Sequence, residues 1–484
     1  MNNQILINIT PHETRIAIME LGVPQEIHIE RSTARGLVGN IYLGRVLRVL
    51  PGMQSAFIDI GLEKSGFLHV AEIWAVQPNA TPQLPIEQLL TNGQTIVVQV
   101  IKEPIGSKGA RLTMQISLAG RYLVYLPQIS HIGVSQKIES EEERSELKEK
   151  LSKILPTNLQ GGFIIRTQAE SSTTEELKQD VDHLTQHWQD IQESIPTNPT
   201  PSLLREELNL SQRILRDYAN EFTEKILVDS KEQFQKLQQF AEHYCLLAYN
   251  RLEHYAWARP LFDFFGVEDE IEKALSRRVD LQSGGYLIID QTEALTTIDV
   301  NTGAFVGNRN LEETLFKTNL EAAQAISRQL RLRNLGGIII ADFIDMNHES
   351  HQQAVLAELH KCLERDRTRL SVSGFTSLGL VEMTRKRTRE SLARILCEPC
   401  PCCQGSAQIK TAQTLCYEIL REVVRMSRQF DAQEYRIIAH HRVIELFLES
   451  ESLTLASASE FIKKPIRLQA ENQTDLEQYD IVLA

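Results

Sequence analysis

Two aspartates stand in similar sequence settings, and their carboxylates could together hold a metal ion. Asp299 follows an apolar, β-branched run that begins at Leu295, and Asp342 follows a second such run over residues 336–341. Each carboxylate is therefore predicted at the rim of a sheet, where a strand meets polar sequence. Alternate side chains of a strand share a face, so Asn301 should project beside Asp299. Oxygen ligands of this kind suit Mg²⁺, which usually takes one or two carboxylates and keeps several waters for a phosphate group.

The elements predicted around these acids form an α/β unit. Two buried strand signals end at Asp299 and Asp342, and a helix is predicted between them over residues 310–333. The ordinary alternative is that both acids merely mark strand ends in loops. The repeated setting and the neighbouring amide of Asn301 favour the metal site.

A second candidate metal site lies in a cysteine-rich stretch. Cys400 and Cys403 have a spacing that lets both thiolates hold one tetrahedral Zn²⁺. Two thiolates do not complete four ligands, so either Cys397 joins them or the other ligands come from another chain. A redox pair is the competing interpretation, but the βαβ context that it needs is missing from the sequence. The chain has seven cysteines, an odd number that does not fit a disulfide scaffold.

Short strands follow one another closely in the first hundred residues. Between residues 39 and 100 the strand signals are separated by glycines, which is typical of a small closed barrel of the oligonucleotide-binding (OB) type. Phe57 and Phe67 are then candidate stacking platforms for bases, and Lys108 is placed to contact backbone phosphate. The competing interpretation is that each phenylalanine belongs to the core.

After Pro127 the sequence becomes polar and acidic, and helical signals dominate. Ser172 with Glu175 predicts a capping box that opens a helix. Apolar residues at helical spacing predict one buried face on this helix: Leu177, Val181, Leu184, Trp188 and Ile191. A proline-rich linker is predicted over residues 196–201, and a further helix is predicted from Thr411 onwards.

Length and charge limit the classes of function. At 484 residues the chain is too long for a single domain with one hydrophobic core. A typical size of about 150 residues per domain predicts three or four units. The net charge of −13 argues against a uniformly nucleic-acid-binding surface. The acidic excess is local, however, because residues 139–193 hold 13 acidic and 6 basic residues, whereas residues 35–125 hold 5 acidic and 8 basic ones. A second basic stretch contains Arg385, Lys386, Arg387, Arg389 and Arg394.

The hydropathy pattern predicts no membrane contact. No basic segment followed by a long apolar stretch opens the sequence, and no later run approaches the roughly 18 apolar residues that a membrane span needs. We therefore expect a cytoplasmic protein whose RNA-binding surface, if it has one, is confined to part of the molecule.

Three segments of the chain resemble one known family. The segments Gly284–Asn301, Ala341–Met346 and Cys400–Cys403 are similar to those of the ribonuclease E/G family, and the similarity extends from the first strand to the last residues. The resemblance implies a multidomain α+β fold. Its parts would be an RNase H-like subdomain over residues 1–34 and 205–279, an inserted S1-type OB RNA-binding domain over 35–124, a 5′-sensor region over 125–204, a DNase I-like catalytic subdomain over 280–396, a zinc link over 397–404 and a small C-terminal α/β domain over 405–484.

The resemblance also implies roles for individual residues. Asp299 and Asp342 would be catalytic residues that bind Mg²⁺, and Asn301 would orient the site. RNA would be bound by Phe57, Phe67, Lys108 and Arg369. A 5′-monophosphate would be recognised by Arg166, Thr167 and Val124, with the arginine clasping the phosphate in a bidentate fork.

The same resemblance implies that a second subunit supplies the missing zinc ligands. Cys400 and Cys403 would share a structural Zn²⁺ with the same pair of a second subunit, giving a homodimer, and further pairing into a homotetramer is left open. Cys402 would be a bystander, and Cys397 stays an additional candidate ligand.

The implied activity is that of a Mg²⁺-dependent, single-strand-specific endoribonuclease that prefers 5′-monophosphorylated, AU-rich RNA and leaves 5′-phosphate and 3′-hydroxyl ends. Its substrates would be a ribosomal RNA precursor, matured at its 5′ end, and messenger RNA. One alternative within the family is an enzyme of the ribonuclease E type that lacks the scaffold tail. Two others are a non-catalytic RNA-binding assembly protein and a phosphorolytic exonuclease with a similar barrel.

Overall fold

The computed structural model describes residues 3–73, 84–104, 108–138, 140–156, 159–170, 172–303, 311–403, 405, 407–471 and 475–484. These residues belong to two compact units, Met1–Ile395 and Leu396–Ala484. Among the helices within the described ranges, none combines the length and the apolar composition that crossing a bilayer requires.

The strands, in chain order, are β1 (Asn3–Ile9), β2 (Glu13–Glu20), β3 (Val23–Arg31), β4 (Ile41–Leu50), β5 (Ser55–Asp59), β6 (Gly66–His69), β7 (Thr95–Lys102), β8 (Arg111–Thr113), β9 (Leu118–Ala119), β10 (Leu123–Leu126), β11 (Ile132–Val134), β12 (Gly162–Ile165), β13 (Ser202–Arg205), β14 (Thr223–Val228), β15 (Leu252–His254), β16 (Arg278–Asp280), β17 (Tyr286–Gln291), β18 (Leu295–Asn301), β19 (Gly337–Asp342), β20 (Leu370–Phe375), β21 (Leu380–Arg385), β22 (Tyr435–His440), β23 (Ile466–Glu471) and β24 (Tyr479–Leu483). The helices are α1 (Ile86–Leu89), α2 (Glu141–Ile154), α3 (Thr174–Ser194), α4 (Leu210–Tyr218), α5 (Lys231–Tyr244), α6 (Leu246–Tyr249), α7 (Leu261–Phe264), α8 (Val267–Leu275), α9 (Leu311–Leu332), α10 (Glu349–Leu363), α11 (Leu392–Leu396), α12 (Ala412–Gln429), α13 (His441–Leu448) and α14 (Ser452–Ile462).

A six-stranded sheet carries the two aspartates. Its order is β16-β17-β18-β19-β21-β20, and only β18 and β19 among the consecutive neighbours run parallel. The chain crosses from β18 to β19 through α9, and residues of α9 and α10 pack with the inward side chains of the sheet in one apolar core. The predicted strands and intervening helix are confirmed, although residue 310, the predicted helix start, lies outside the described residues.

A five-stranded sheet combines the first strands with much later ones. Its order is β15-β14-β1-β2-β3, with β1 parallel to β14 and antiparallel to β2. Residues of α4, α5 and α6 complete its core. The barrel and a second sheet are therefore inserted between two halves of this sheet.

The predicted closed barrel is present. Strands β4, β5, β6, β8 and β7 follow one another around it, and β7 pairs again with β4. Strand β13, which was not predicted, pairs antiparallel with the first residues of β4, Ile41 to Leu43, before the stretch of β4 that pairs with β5. A strand of four residues is too short to show an alternation in sequence, and the prolines just before it favoured a linker.

The second inserted sheet has the order β11-β12-β10-β9 and packs against α2 and α3. Leu177, Val181, Leu184 and Ile191 of α3 are buried and Trp188 is partly buried, which confirms the predicted face. The predicted cap was wrong by one position, because the capping box uses Thr173 and Glu176. The hydroxyl of Ser172 instead donates to the carbonyl oxygen of Ala169, closing the preceding turn.

The unit Leu396–Ala484 contains a three-stranded sheet of order β23-β22-β24. Strand β22 runs parallel to β23 and antiparallel to β24. Residues of α12 and α13 form the core with β22. Thr411 caps α12, which confirms the predicted helix start.

A buried ion pair anchors the sheet that carries the aspartates. The Nε of Arg385, the last residue of β21, lies 2.6 Å from Oδ2 of Asp366, and these side chains are 5% and 2% exposed. Arg385 also donates to the side-chain oxygen of Asn334 and to the carbonyl oxygen of Leu335. The backbone N–H of Thr368 donates to Asp366, so the carboxylate is well satisfied.

Replacing one partner of this pair should be costly. Asp366→Ala leaves a buried guanidinium uncompensated, and we expect the free energy of unfolding to fall by about 3–5 kcal/mol. Denaturant titration gives this value. The matched control is Asp290→Ala, which breaks the exposed Arg277–Asp290 pair and should cost less than about 1 kcal/mol. Equal losses in the two variants would contradict the anchoring role.

Candidate metal centre and its surroundings

Asp299 and Asp342 lie side by side in the six-stranded sheet. They are register partners in the parallel pair β18–β19, whose strands lie about 4.8 Å apart. Both side chains are exposed on the face opposite the helices, and both stand at the carboxyl end of their strand. In α/β sheets this end is where ligands usually bind, because the crossover helix leaves it open. The predicted juxtaposition of the two carboxylates is therefore present.

Asn301 belongs to the same group of side chains. It stands two residues after Asp299 on β18, and its Nδ2 donates to Oδ2 of Asp299 at 2.8 Å. This bond fixes one carboxylate oxygen and leaves Oδ1 for another ligand. The amide therefore lies where the sequence analysis predicted it.

The site is electrostatically unfavourable for two bare carboxylates. Partial desolvation raises the pKa of Asp342, and the negative charges of Asp299 and Asp345 raise it further. A bound cation would relieve this repulsion. Asp345 was not singled out from the sequence, although it follows Asp342 by only three residues.

Within the described ranges, no group of three or more His, Cys, Asp and Glu side chains could hold a metal ion. Among the described residues, Asp299 and Asp342 therefore offer a metal ion two carboxylate ligands and not a complete set of protein ligands. This ligand set fits Mg²⁺, which retains waters and takes further oxygens from a phosphate substrate.

A cation and an aromatic ring flank the pair on the same face of the sheet. Arg278, Ile288, Asp299, Asp342 and Leu380 are successive register partners across five strands. The guanidinium of Arg278 lies 4.0 Å from the ring centroid of Tyr286, which is the register partner of Asn301. Sequence reasoning missed both residues, because only strand pairing brings them beside the carboxylates.

The barrel presents two phenylalanines on its outer surface. Phe57 and Phe67 are cross-strand partners with ring centroids 6.1 Å apart, and both are partly exposed. Arg48 pairs with Phe57 and Arg111 with Phe67, so the aromatic pair is flanked by two basic residues. Lys108 is exposed and precedes β8. Phe57, Phe67 and Lys108 therefore lie on the surface of the barrel and not in its core.

Arg166 and Val124 lie on the four-stranded sheet. Val124 is the register partner of Ile164, and the backbone N–H of Arg166 donates to the carbonyl oxygen of Tyr122 at 2.8 Å. Alternation along the strands therefore places Val124 and Arg166 on one face. Thr167 begins the short 3₁₀ turn that follows Arg166.

The guanidinium of Arg166 is held by protein groups. Its Nη2 lies 2.9 Å from Oδ1 of Asp217, and its Nη1 donates to the carbonyl oxygen of Gly120. Burial alone would raise the pKa of Asp217, but Arg216 and Arg166 hold it below its ordinary value. The carboxylate is therefore ionised and fixes the orientation of Arg166.

Arg369 is not brought to the carboxylate pair. It immediately precedes β20, and its carbonyl oxygen accepts a bond from the N–H of Lys386. The neighbouring Arg385 is the register partner of Gly337, at the start of β19. Asp342 is five residues further along that strand, a distance of roughly 16 Å at about 3.3 Å per residue. Any contact of Arg369 with RNA would be remote from the two aspartates.

The second basic stretch has a largely structural role. The guanidinium of Arg385 forms the buried ion pair with Asp366. Arg387 donates to the carbonyl oxygen of Gly336, and Arg389 donates to that of Ile27. These bonds hold chain segments together.

The cysteine motif lies in the unit Leu396–Ala484. Backbone N–H groups of Cys403 and Cys402 lower the pKa of Cys400, and the thiol of Cys403 lowers it further. Cys397, Cys400 and Cys402 are exposed, and Cys403 is partly buried. The charge of Cys400 raises the pKa of Cys402. The lowered pKa favours the thiolate form of Cys400, which is the form that binds a metal ion.

Known proteins are similar to this chain over most or all of its length. The sequence pattern of the ribonuclease E/G family matches residues 117–388, which include Val124, Arg166, Asp299 and Asp342. Ribonuclease G of Escherichia coli strain K12 is 50% identical over the whole of both chains, and ribonuclease G of Haemophilus influenzae is 50% identical over 99% of each. Ribonuclease E of Escherichia coli strain K12 is 37% identical over 90% of this chain and 42% of its own length. The chain belongs to the ribonuclease E/G family.

Proposed function

We propose that the protein is a Mg²⁺-dependent endoribonuclease that cuts single-stranded RNA. The observation that carries this proposal is the register pairing of Asp299 with Asp342 on an open sheet face. Membership of the ribonuclease E/G family and the names of the similar proteins support the choice of RNA as substrate. Cleavage leaves 5′-phosphate and 3′-hydroxyl ends, as the family resemblance implies.

Each residue of the centre has a distinct task in this proposal. Asp299 and Asp342 hold Mg²⁺, and the hydrogen bond from Asn301 keeps one oxygen of Asp299 oriented. When bound, Mg²⁺ supplies the positive charge that the phosphoryl group needs as negative charge develops on it. Arg278, stacked on Tyr286 and ion-paired with Asp280 at 2.7 Å, stands two strands from Asp299 at the edge of the centre. Asp299, Asp342 and Arg278 are exposed and Asn301 and Tyr286 are partly exposed, which leaves room for a strand of RNA on the sheet face.

The barrel holds the RNA in place. Phe57 and Phe67 offer partly exposed rings on which bases can stack, and stacking on aromatic side chains is tolerant of sequence. Lys108 and the flanking Arg48 and Arg111 supply cations for the backbone phosphates. Arg369, which directly precedes β20 at the end of the sheet remote from the two aspartates, contacts the RNA at a separate point.

The 5′ end of the RNA is recognised separately. Arg166 makes contacts with Asp217 and Gly120, and a guanidinium has five N–H donors, so donors remain for a terminal monophosphate. Thr167 contributes a hydroxyl, and Val124 packs beside the first nucleotide. A triphosphate is larger and differently shaped, so this pocket disfavours it. The preference for AU-rich sites and the roles in ribosomal RNA maturation and messenger RNA turnover follow from the family resemblance.

The first test replaces the metal-binding carboxylates. Asp299→Asn and Asp342→Asn should each reduce kcat with Mg²⁺ by about a hundredfold or more, because the amide holds the cation less well. RNA affinity, measured without Mg²⁺ by fluorescence anisotropy, should stay within about twofold. Because protonation competes with the cation at Asp342, whose pKa is raised, Mg²⁺ affinity should weaken as the pH falls towards that pKa.

Asp290→Asn is the matched control, because it neutralises a carboxylate of the adjacent strand β17 that is ion-paired with Arg277. It should keep nearly full turnover. Full turnover of the Asp299 and Asp342 variants would instead favour a non-catalytic RNA-binding protein with a contaminating nuclease. Shortening of the substrate from one end would indicate an exonuclease.

The cysteine motif has a structural role in the proposal. Cys400 and Cys403 of two subunits together provide four thiolates for one Zn²⁺, which explains why the motif of one chain has only two well-spaced ligands. The proposed assembly is a homodimer, and further pairing into a homotetramer is left open.

Zinc content and mass test this link together. Cys400→Ser and Cys403→Ser should each lose the metal and convert the dimer to monomers in analytical ultracentrifugation, because serine is a poor zinc ligand. Cys402→Ser is the matched control and should keep about half a zinc ion per chain. Retention of zinc by both pair variants would contradict the link, and loss of zinc in Cys397→Ser would assign that thiol to the site.

A further inference from the structure

Asp217 stands where three parts of the chain meet. It is the residue before the last of α4, and its carboxylate accepts from Arg166 at 2.9 Å and from Arg216 at 2.9 Å and 3.0 Å. Arg166 belongs to the proposed 5′-end pocket, so this carboxylate sets the position of the guanidinium that would hold the terminal phosphate. Its backbone carbonyl has a separate set of partners.

The carbonyl oxygen of Asp217 joins the pocket to a distant segment. It accepts bonds from the amide of Gln168, which follows Arg166 by two residues, and from the guanidinium of Arg367. The same guanidinium lies 4.2 Å from the ring centroid of Tyr218, the next residue of α4. Residue 367 is therefore fixed to the end of α4 by a hydrogen bond and a cation–π contact.

A second bond ties residue 367 to the inserted sheet region. The Nζ of Lys137, three residues after the end of β11, donates to the carbonyl oxygen of Arg367. Burial lowers the pKa of Lys137, and Asp366 acts in the opposite direction. Lys137 thus bonds directly to residue 367, whereas Gln168 shares with Arg367 the carbonyl oxygen of Asp217 as acceptor.

That segment is bonded directly to the catalytic sheet. Asp366 forms the buried pair with Arg385, and Arg385 is the register partner of Gly337, where β19 begins. Strand β19 ends at Asp342. The contacts therefore run without interruption from Arg166 through Asp217, Arg367 and Asp366 to the strand that carries one of the two catalytic carboxylates.

We propose that Asp217 and Arg367 are positioning residues that couple recognition of the RNA 5′ end at Arg166 to cleavage at Asp299 and Asp342. The inference rests on the proposed 5′-monophosphate pocket and adds its means of regulation. A terminal phosphate bound by the remaining donors of Arg166 shares this guanidinium with the carboxylate of Asp217. A shift of Arg166 on binding is passed through Asp217 and the closely bonded segment 366–368 to the sheet.

Coupling and simple tethering differ in their kinetics. If the pocket only adds binding energy, a 5′-monophosphate lowers KM and leaves kcat unchanged. If the contacts transmit occupancy to the sheet, part of the advantage lies in kcat. Removal of the connector should then abolish the kcat advantage while the KM advantage persists.

The experiment compares oligonucleotides of one sequence that carry either a 5′-monophosphate or a 5′-hydroxyl, with the full-length protein. For the wild type we expect the monophosphate to improve both KM and kcat. Arg367→Ala should bring the kcat ratio of the two substrates to about one, with the 5′-hydroxyl rate unchanged within about twofold. Asp217→Asn should lose the advantage in both constants, because Arg166 is no longer held.

Arg365→Ala is the matched control, since it removes an exposed arginine of the same segment two residues away. Arg365→Ala should keep the wild-type ratios of kcat and of KM between the 5′-monophosphate and 5′-hydroxyl substrates. The double variant Arg166→Ala with Arg367→Ala should lose no more discrimination than Arg166→Ala alone, because the two residues act in one chain of contacts. Thermal unfolding of each variant verifies that it is folded.

The outcomes separate the two proposals. Equal rates of the wild type on both substrates would overturn the 5′-end pocket itself, and the coupling with it. A wild-type preference that persists undiminished in Arg367→Ala and in Asp217→Asn would overturn the coupling alone. A preference confined to KM in the wild type would also overturn it.

Discussion

The centre of this protein depends on two carboxylates that the backbone forces together. Strands β18 and β19 are parallel and in register at Asp299 and Asp342, so the side chains cannot separate without breaking the sheet. Each negative charge disfavours the other, and the raised pKa of Asp342 reflects that repulsion together with partial desolvation. A divalent cation is the natural counterpart of such an arrangement, since it converts the repulsion into shared ligation.

The remaining structure keeps this unfavourable pair in place and, in the proposed function, brings RNA to it. Helices α9 and α10 cover one face of the sheet, which leaves the other face open for substrate. The buried pair Arg385–Asp366 fixes the opposite end of the sheet. The barrel and the four-stranded sheet lie between the two halves of the sheet that contains β1 and β14, so the proposed RNA-holding and 5′-end regions are insertions into one framework.

Local sequence patterns predicted many of the strands and helices and several of the site residues. Apolar runs that end in an aspartate, the amide two residues on, the glycine-separated strands and the helical spacing in α3 all depend on neighbours in sequence, and the structure confirms the elements that they predicted. Other features depend on pairing between distant segments. Arg278 and Tyr286 reach the centre only through strand register, Asp217 acquires its importance from the approach of Arg166 and Arg367, and β13 is a strand only because β4 offers it an edge. The basic cluster at Arg385 suggested a binding surface from sequence, but burial of the pair with Asp366 gives that arginine a structural role.

The most direct measurement is the position of the metal itself. Crystals soaked in Mn²⁺, which favours the same oxygen ligands as Mg²⁺, would show its anomalous scattering. We predict one peak within about 2.0–2.3 Å of a carboxylate oxygen of Asp299 and of Asp342. A peak bound to only one of these residues, or bound elsewhere in crystals of a protein that is active with Mn²⁺, would contradict it.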